Sequence, residues 1–342
     1  MPAEITDRLG RPMRNLRLSV TDRCNLRCNY CMPEENYTWL PKGDVLTFEE
    51  TVRIVDSFVA LGVNKIRLTG GEPLLRRDLP QLVAMLAERS AVRELAMTTN
   101  GVLLERHAKD LKKAGLQRLT VSIDTLDRDT FRMLTRRDDL DRVQAGIEAA
   151  RSAGFTGTKL DTVAIAGVND EELPRLLEFA RAGGVELRFI EYMDVGGATR
   201  WNMERVISRA RILAILTEAF GVITPIVRTD SAPAERFQLP DGTTFGIISS
   251  VTQPFCATCD RARLTADGTW FTCLYATAGT DLRSLLRSGA DDRTVQRRLA
   301  EVWAARQDRG AEIRAGMPDR TALLPAEGMR DNPHLEMHTR GG

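Results

Sequence analysis

The sequence predicts an α/β protein: a parallel sheet built from six β-α repeats, followed by a smaller α+β extension. Two observations carry this. Between residues 16 and 193, short β-rich runs alternate with amphipathic helical stretches, a pattern that calls for parallel strands joined by right-handed crossovers. Beyond about residue 220 the alternation stops, and β-like runs follow one another through a hairpin signal.

Taken in order, the strand expectations are residues 16–21, 65–70, 94–99, 118–124, 159–165 and 186–193. The helices between them include 47–61, 79–89, 104–114, 139–153 and 170–182, where Leu173, Leu176, Leu177 and Ala180 recur as one face of a helix does. Gly62, Gly115, Gly154 and Gly183 follow four of these stretches in the manner of C-terminal stops. In the extension, 243–251 and 262–275 are β-like, with Asp267-Gly268 as a hairpin turn. A charged helix is expected over 292–307, and the last thirty residues are Pro-, Gly- and charge-rich without periodicity, as in a flexible tail. Periodicity alone leaves an open doubly wound sheet and a barrel or part-barrel as alternatives. Either one places chemistry at the C-terminal ends of the strands. The division expected is 1–225 for the repeats and 226–342 for the extension.

Composition excludes several function classes. The 342 residues are 43% hydrophobic and 28% charged, with a formal net charge of +1. Nothing global therefore favours nucleic acid or an anionic membrane as partner. No signal-peptide pattern opens the chain, and no apolar run approaches the roughly 20 residues of a membrane span. The expectation is a cytoplasmic protein.

The cysteines are the informative count. All six fall in two groups, Cys24, Cys28, Cys31 and Cys256, Cys259, Cys273. In a long chain of a reducing compartment such clustering points to metal ligands or redox chemistry. The first group, Cys24-Asn-Leu-Arg-Cys28-Asn-Tyr-Cys31, directly follows the first strand. Three thiolates can hold three irons of a [4Fe–4S] cube and leave the fourth open to a small molecule. Zinc is the competing reading, but a structural zinc takes four ligands. The three histidines, His107, His334 and His338, supply no nearby fourth in sequence.

The C-x3-C-x2-C spacing, with an aromatic before the last cysteine, resembles the signature of the radical S-adenosylmethionine (SAM) enzymes. Gly70-Gly71-Glu72-Pro73, at the end of the second strand, resembles their GGEP motif. The resemblance implies a partial (β/α)6 barrel of TIM type. It also implies that the open iron chelates SAM, whose reductive cleavage yields a 5′-deoxyadenosyl radical.

The second group, Cys256-Ala-Thr-Cys259 and Cys273 after thirteen residues, is again a three-ligand set, so a second open iron is expected, with zinc as the competitor. If the intervening segment is a strand, Arg261 and Arg263 share one face, and paired guanidiniums suit a phosphate.

The ordered set of segments resembles the GTP 3′,8-cyclase family of molybdenum-cofactor biosynthesis over essentially the whole chain. These are Arg17-Leu-Ser-Val-Thr-Asp-Arg-Cys24, Lys65-Ile-Arg67-Leu-Thr-Gly-Gly-Glu-Pro, Thr98-Thr-Asn-Gly101, Val121-Ser-Ile-Asp124, Ile190-Glu-Tyr-Met-Asp-Val195, the second triad and the terminal Gly341-Gly342. The resemblance implies two [4Fe–4S] clusters, the second in the α+β extension, and SAM as cofactor. It assigns SAM to Tyr30, Gly71, Ser122 and Met193, and GTP to Arg17, Arg67, Thr98, Lys159, Arg261 and Arg263. Five of those six GTP positions are cationic, as a triphosphate requires. Arg17, Arg261, Arg263 and the Gly341-Gly342 tail, which reaches into the active site in the family, are implied in catalysis. Arg340 stands where the family often has an apolar residue. The reaction implied is abstraction of the 3′ hydrogen of GTP and attack of C3′ on guanine C8, with the second cluster orienting the base. The implied partners are GTP, an external one-electron donor, and cyclic pyranopterin monophosphate synthase as recipient of the product. No nucleic acid or membrane partner is implied, and the chain would act as a monomer or homodimer. A twin-cluster radical SAM enzyme acting on a peptide and a zinc-stabilised binding module are the alternatives.

Overall fold

The computed structural model describes residues 4–227, 231–323, 328–329 and 332–341. Six parallel strands pair in sequence order: β1 (Asn15–Ser19), β2 (Lys65–Thr69), β3 (Glu94–Thr99), β4 (Arg118–Ser122), β5 (Lys159–Ala164) and β6 (Glu186–Glu191). The crossovers carry α1 (Phe48–Ala60), α2 (Leu79–Ala87), α3 (Leu104–Lys113), α4 (Arg128–Thr135), α5 (Leu140–Ser152) and α6 (Leu173–Ala182), and α7 (Arg209–Phe220) follows β6. Each expected strand is found, shorter by up to two residues at its C-terminal end, where the chain turns into the site loops. Helix starts are chemically marked. Thr47 and Glu50 close a capping box on α1, and the Asp127 carboxylate accepts from Thr130 N at the start of α4.

Gly62, Gly115 and Gly154 adopt φ of 112°, 100° and 81°, the left-handed stop that favours glycine. After α6 that position is Gly184 (φ 65°), while Gly183 keeps a helical φ of −79°.

The extension does not build a sheet of its own. β7 (Thr224–Ile226), β8 (Glu235–Gln238) and β9 (Thr244–Ile248) form an antiparallel meander whose last strand pairs parallel with β6. β10 (Arg261–Leu264), β11 (Thr269–Phe271) and β12 (Thr280–Asp281) form a second meander, and β10 pairs parallel with β1. The result is one open sheet of twelve strands in the order β12-β11-β10-β1-β2-β3-β4-β5-β6-β9-β8-β7. It is a part-barrel, with the α+β extension lengthening both edges. The Asp267-Gly268 turn joins β10 to β11 as expected, with Gly268 at φ 84°.

Helices α8 (Leu282–Arg287) and α9 (Asp292–Ala305) pack back on α1, and α10 (Gly310–Ala315) lies beside the Cys256–Thr258 turn. Buried Trp270 stacks on buried Trp303 at 6.5 Å and meets Phe58 of α1 edge-on at 5.5 Å. Each such indole removes 150–250 Å² from water, roughly 4–6 kcal/mol of transfer free energy before entropy. That cluster fixes the second meander against the barrel wall. No helix among the described residues is long and apolar enough to cross a membrane.

Candidate active site

In a strand, alternate residues face opposite sides. Here one side packs on the helices and is apolar: Leu16 and Leu18, Ile66 and Leu68, Leu119 and Val121, and Leu187 and Phe189 are all buried in the core. The other side lines a cavity of about 1060 Å³ and is polar: Arg17, Lys65, Arg67, Thr98, Arg118, Thr120, Ser122, Lys159, Asp161 and Arg188. Strand register sets the rows. Arg263, Arg17 and Arg67 stand side by side across β10, β1 and β2, while Ser122, Asp161 and Arg188 are neighbours across β4, β5 and β6.

All six cysteines line this same cavity, and none is in a disulfide. Cys24, Cys28 and Cys31 lie beyond the C-terminal end of β1. Burial pushes the Cys24 thiol up to about 11, with Glu72 adding to it. Burial and the neighbouring thiols raise Cys28 well above its ordinary value, and burial together with Cys24 raises Cys31. Three crowded thiols in a dry site surrender their protons only to a strongly cationic partner. Among the described residues no three Cys, His, Asp or Glu side chains are placed to hold a single metal ion. Gly70-Gly71 grips the cysteine loop from below: Gly71 N donates to Thr21 O at 2.9 Å and Glu72 N to Arg23 O at 2.8 Å. A side chain at Gly71 would drive into the backbone of Asp22 and Arg23. Buried Glu72 then accepts from Leu74 N, Thr99 Oγ1 and Asn100 N at 3.0, 2.7 and 2.7 Å, and Asn100 Nδ2 reaches Cys24 Sγ at 3.8 Å.

The second triad occupies the opposite end. β10 runs parallel to β1, so Cys256 and Cys259, which precede it, sit where β1 begins. Cys273 follows the antiparallel β11 and returns to that same end. The strand-end rule thus accounts for one triad and not the other, because the second is delivered by an edge strand entered from outside the repeats. Burial works against a charged Cys259, yet Arg261 and Arg306 bring its thiol down to about 6. Arg261 Nη2 donates to Cys259 Sγ at 3.4 Å and its guanidinium lies 4.6 Å over Phe255.

Between the triads lie the cations. Burial, then Arg263, Arg261 and Arg67, depress the pKa of Arg17 well below the usual guanidinium value. Burial likewise lowers Arg67, which donates to Thr98 Oγ1 at 3.2 Å and Thr120 Oγ1 at 2.9 Å. Lys159 pairs with Glu186 at 2.9 Å, but burial and Arg188 still lower its pKa. Buried guanidiniums that destabilise one another's charge are relieved by an anion, which gives this wall the chemistry to hold one.

All ten residues assigned by resemblance to SAM and GTP line the cavity: Tyr30, Gly71, Ser122 and Met193 with Arg17, Arg67, Thr98, Lys159, Arg261 and Arg263. Tyr30 donates its hydroxyl to Asp124 at 2.6 Å. The tail is not frayed over residues 332–341. His338, Thr339 and Arg340 are buried, and Gly341 O accepts from Arg263 at 2.7 Å and Arg17 at 3.2 Å. Gly342 lies outside the described residues. Sequence reasoning passed over Lys65, Arg118, Asp161 and Arg188. Their signal was available: polar residues alternating along strands of a parallel sheet mark a filled lumen rather than a solvent face.

Residues 18–180 match the radical SAM superfamily and 185–312 match Molybdenum Cofactor Synthesis C. The chain is 54% identical to GTP 3′,8-cyclase 3 of Mycobacterium bovis over 342 residues, covering 99% of this chain and 90% of that protein. It is 54% identical to GTP 3′,8-cyclase 1 of Mycobacterium tuberculosis, covering 99% and 95%, and 51% identical to GTP 3′,8-cyclase of Acidothermus cellulolyticus, covering 92% and 90%. In fold it resembles the SAM-bound structure of SuiB from Streptococcus suis, with a TM-score of 0.60 at 16% identity, covering 90% of this chain and 71% of that one.

Proposed function

This chain belongs to the GTP 3′,8-cyclase family of radical SAM enzymes, and on that premise we propose which of its residues perform each part of the reaction. The enzyme removes the 3′ hydrogen of GTP and joins C3′ to guanine C8, in molybdenum-cofactor biosynthesis. It uses SAM and two [4Fe–4S] clusters. When bound, the first cluster with SAM supplies a 5′-deoxyadenosyl radical, and the second supplies an open iron for the guanine.

Cys24, Cys28 and Cys31 hold the first cluster, and Tyr30, Gly71, Ser122 and Met193 bind SAM beside it. Cys256, Cys259 and Cys273 hold the second. Arg17, Arg67, Lys159 and Arg263 neutralise the triphosphate, with Lys65 and Arg188 completing the cationic wall. Thr98 acts with Arg67, to which it is hydrogen-bonded. Arg261, stacked on Phe255 and bonded to Cys259, orients the purine end. Gly341 closes the lumen over Arg17 and Arg263, so that the ribose is held in a dry, fixed geometry. The segments then differ in what they contribute, with radical generation and most triphosphate contacts in 1–225, and orientation of the base in 226–342. An external one-electron donor reduces the clusters, and the product passes to cyclic pyranopterin monophosphate synthase. Six unpaired thiols support a cytoplasmic setting, with the protein acting as a monomer or homodimer.

One observation carries this reading: both triads open onto a single cationic lumen from opposite ends. The test is iron content and SAM cleavage in reconstituted variants. Wild type is expected to hold roughly eight irons per chain, and Cys24→Ala and Cys273→Ala roughly four each. Cys24→Ala should abolish 5′-deoxyadenosine formation, and Cys273→Ala should abolish cyclisation while SAM cleavage survives. A Cys273→Ala enzyme that still cyclises GTP refutes the division of labour.

A further inference from the structure

Arg340 directly precedes the terminal glycines, and its surroundings give a buried cation there a use. Its side chain is 1% exposed. Nη1 donates to Leu274 O at 2.8 Å and Ala276 O at 2.7 Å, and Nε donates to His334 O. The guanidinium lies 4.1 Å from the Phe271 ring centroid, and none of these contacts involves a carboxylate. Three carbonyls from two segments therefore converge on one planar, multi-donor cation. Leu274 and Ala276 belong to the loop that begins at Cys273, whereas His334 belongs to the tail. On the tail's other side, Arg340 O and Gly341 O accept from Arg263 at 3.2 and 2.7 Å.

We propose that Arg340 is a positioning residue: it bolts the terminal tail to the Cys273 loop, and so sets the tail carbonyls that hold Arg17 and Arg263 in the lumen. The inference rests on the proposed role of the tail. An aliphatic side chain of similar volume fills the space but leaves three part-buried acceptors without this donor, which favours tail release. Placement of the tail is thereby tied to placement of the second triad's loop, and an enzyme whose Cys273 loop is out of position lacks a closed lumen as well.

The test uses the full-length, reconstituted enzyme and the variants Arg340→Ala, Arg340→Lys, Gly341→Ala and the Arg340→Ala/Gly341→Ala pair. Arg340→Ala is expected to retain wild-type iron content. It should lose its C-terminal residues to carboxypeptidase at least tenfold faster than wild type, and its kcat should fall at least tenfold. Arg340→Lys, which keeps the charge and some donors, should recover part of the protection. The double variant should be slower than either single variant, because both lesions weaken the same docking of one tail. Equal protection of wild type and Arg340→Ala would overturn the proposal. So would loss of iron in both Arg340 variants, which would make Arg340 a residue of the fold only. Protease release does not need turnover, so it stands whether or not GTP is the substrate. A wild type that fails to cyclise GTP sinks the functional reading instead.

Discussion

Gly341→Ala tests the tail at the atom where the fit is tightest. Gly341 sits at φ +66°, and an added Cβ would stand 3.2 Å from Thr69 Cβ and well inside 3.0 Å of Thr69 Oγ1. Left-handed backbone costs a non-glycine residue roughly 1–2 kcal/mol. The overlap adds about 1–3 kcal/mol, the usual cost of overpacking. The sum, about 2–5 kcal/mol, lowers the docked fraction of the tail by roughly 30-fold to several thousandfold. Thr69 Oγ1 is buried and has no hydrogen-bond partner among the described residues, so Thr69→Ala removes the clash without orphaning a described donor. Only the backbone cost then remains, and Thr69→Ala/Gly341→Ala is expected to lie roughly 5- to 30-fold below wild type. The assay is anaerobic cyclisation of GTP at saturating SAM, with iron counted in each sample. Iron should be unchanged throughout. Full activity in Gly341→Ala, or no recovery on adding Thr69→Ala, refutes the close-approach argument.

Arg263→Ala removes a charge-assisted donor worth about 1.5–3 kcal/mol and should raise KM for GTP roughly 10- to 150-fold, read from initial rates. Gly71→Ala places a Cβ 2.6 Å from Arg23 C and 2.9 Å from Asp22 O; reconstituted iron should fall toward the content of Cys24→Ala, while a wild-type count would show that the loop can give way. Lys159 is charged only below its pKa, and burial with Arg188 lowers that pKa from 10.5. In the free enzyme the charge is therefore lost at lower pH than on an ordinary lysine, and kcat/KM for GTP should decline early on the alkaline side. Lys159→Arg should move that decline upward, and an unmoved profile would assign it to another group.

The six repeats were legible because burial on one face and crossover helices on the other write two periods into the chain, as in 173–182 against 186–191. The edges were not. That β10 joins β1, 246 residues away by the pairing of Asn15 with Arg261, is a long-range choice with no local signature. The same holds for β9 beside β6. The short α4 and the meander strand β8 escaped because each is too brief for a periodic pattern, and α4 announces itself only through its Asp127 cap. At the site, the cysteines were plain from spacing. Asp161 and Arg188 were hidden because a charged residue in a strand reads first as solvent-facing, and only the lumen makes it interior. The tail misled most: Pro333, His334 and Arg340 look like a polar end, yet the side chains there find barrel or loop partners, including His334 with Asp267 at 2.6 Å.

The central claim is that one lumen brings the ribose of GTP to the first triad while the second triad holds its base. GTP deuterated at C3′ tests it most directly, in wild type and in Cys273→Ala. The account predicts transfer of deuterium into 5′-deoxyadenosine in wild type, and unlabelled 5′-deoxyadenosine from the variant, whose SAM cleavage is no longer aimed. Unlabelled 5′-deoxyadenosine from wild type, or equal labelling in both proteins, would contradict it.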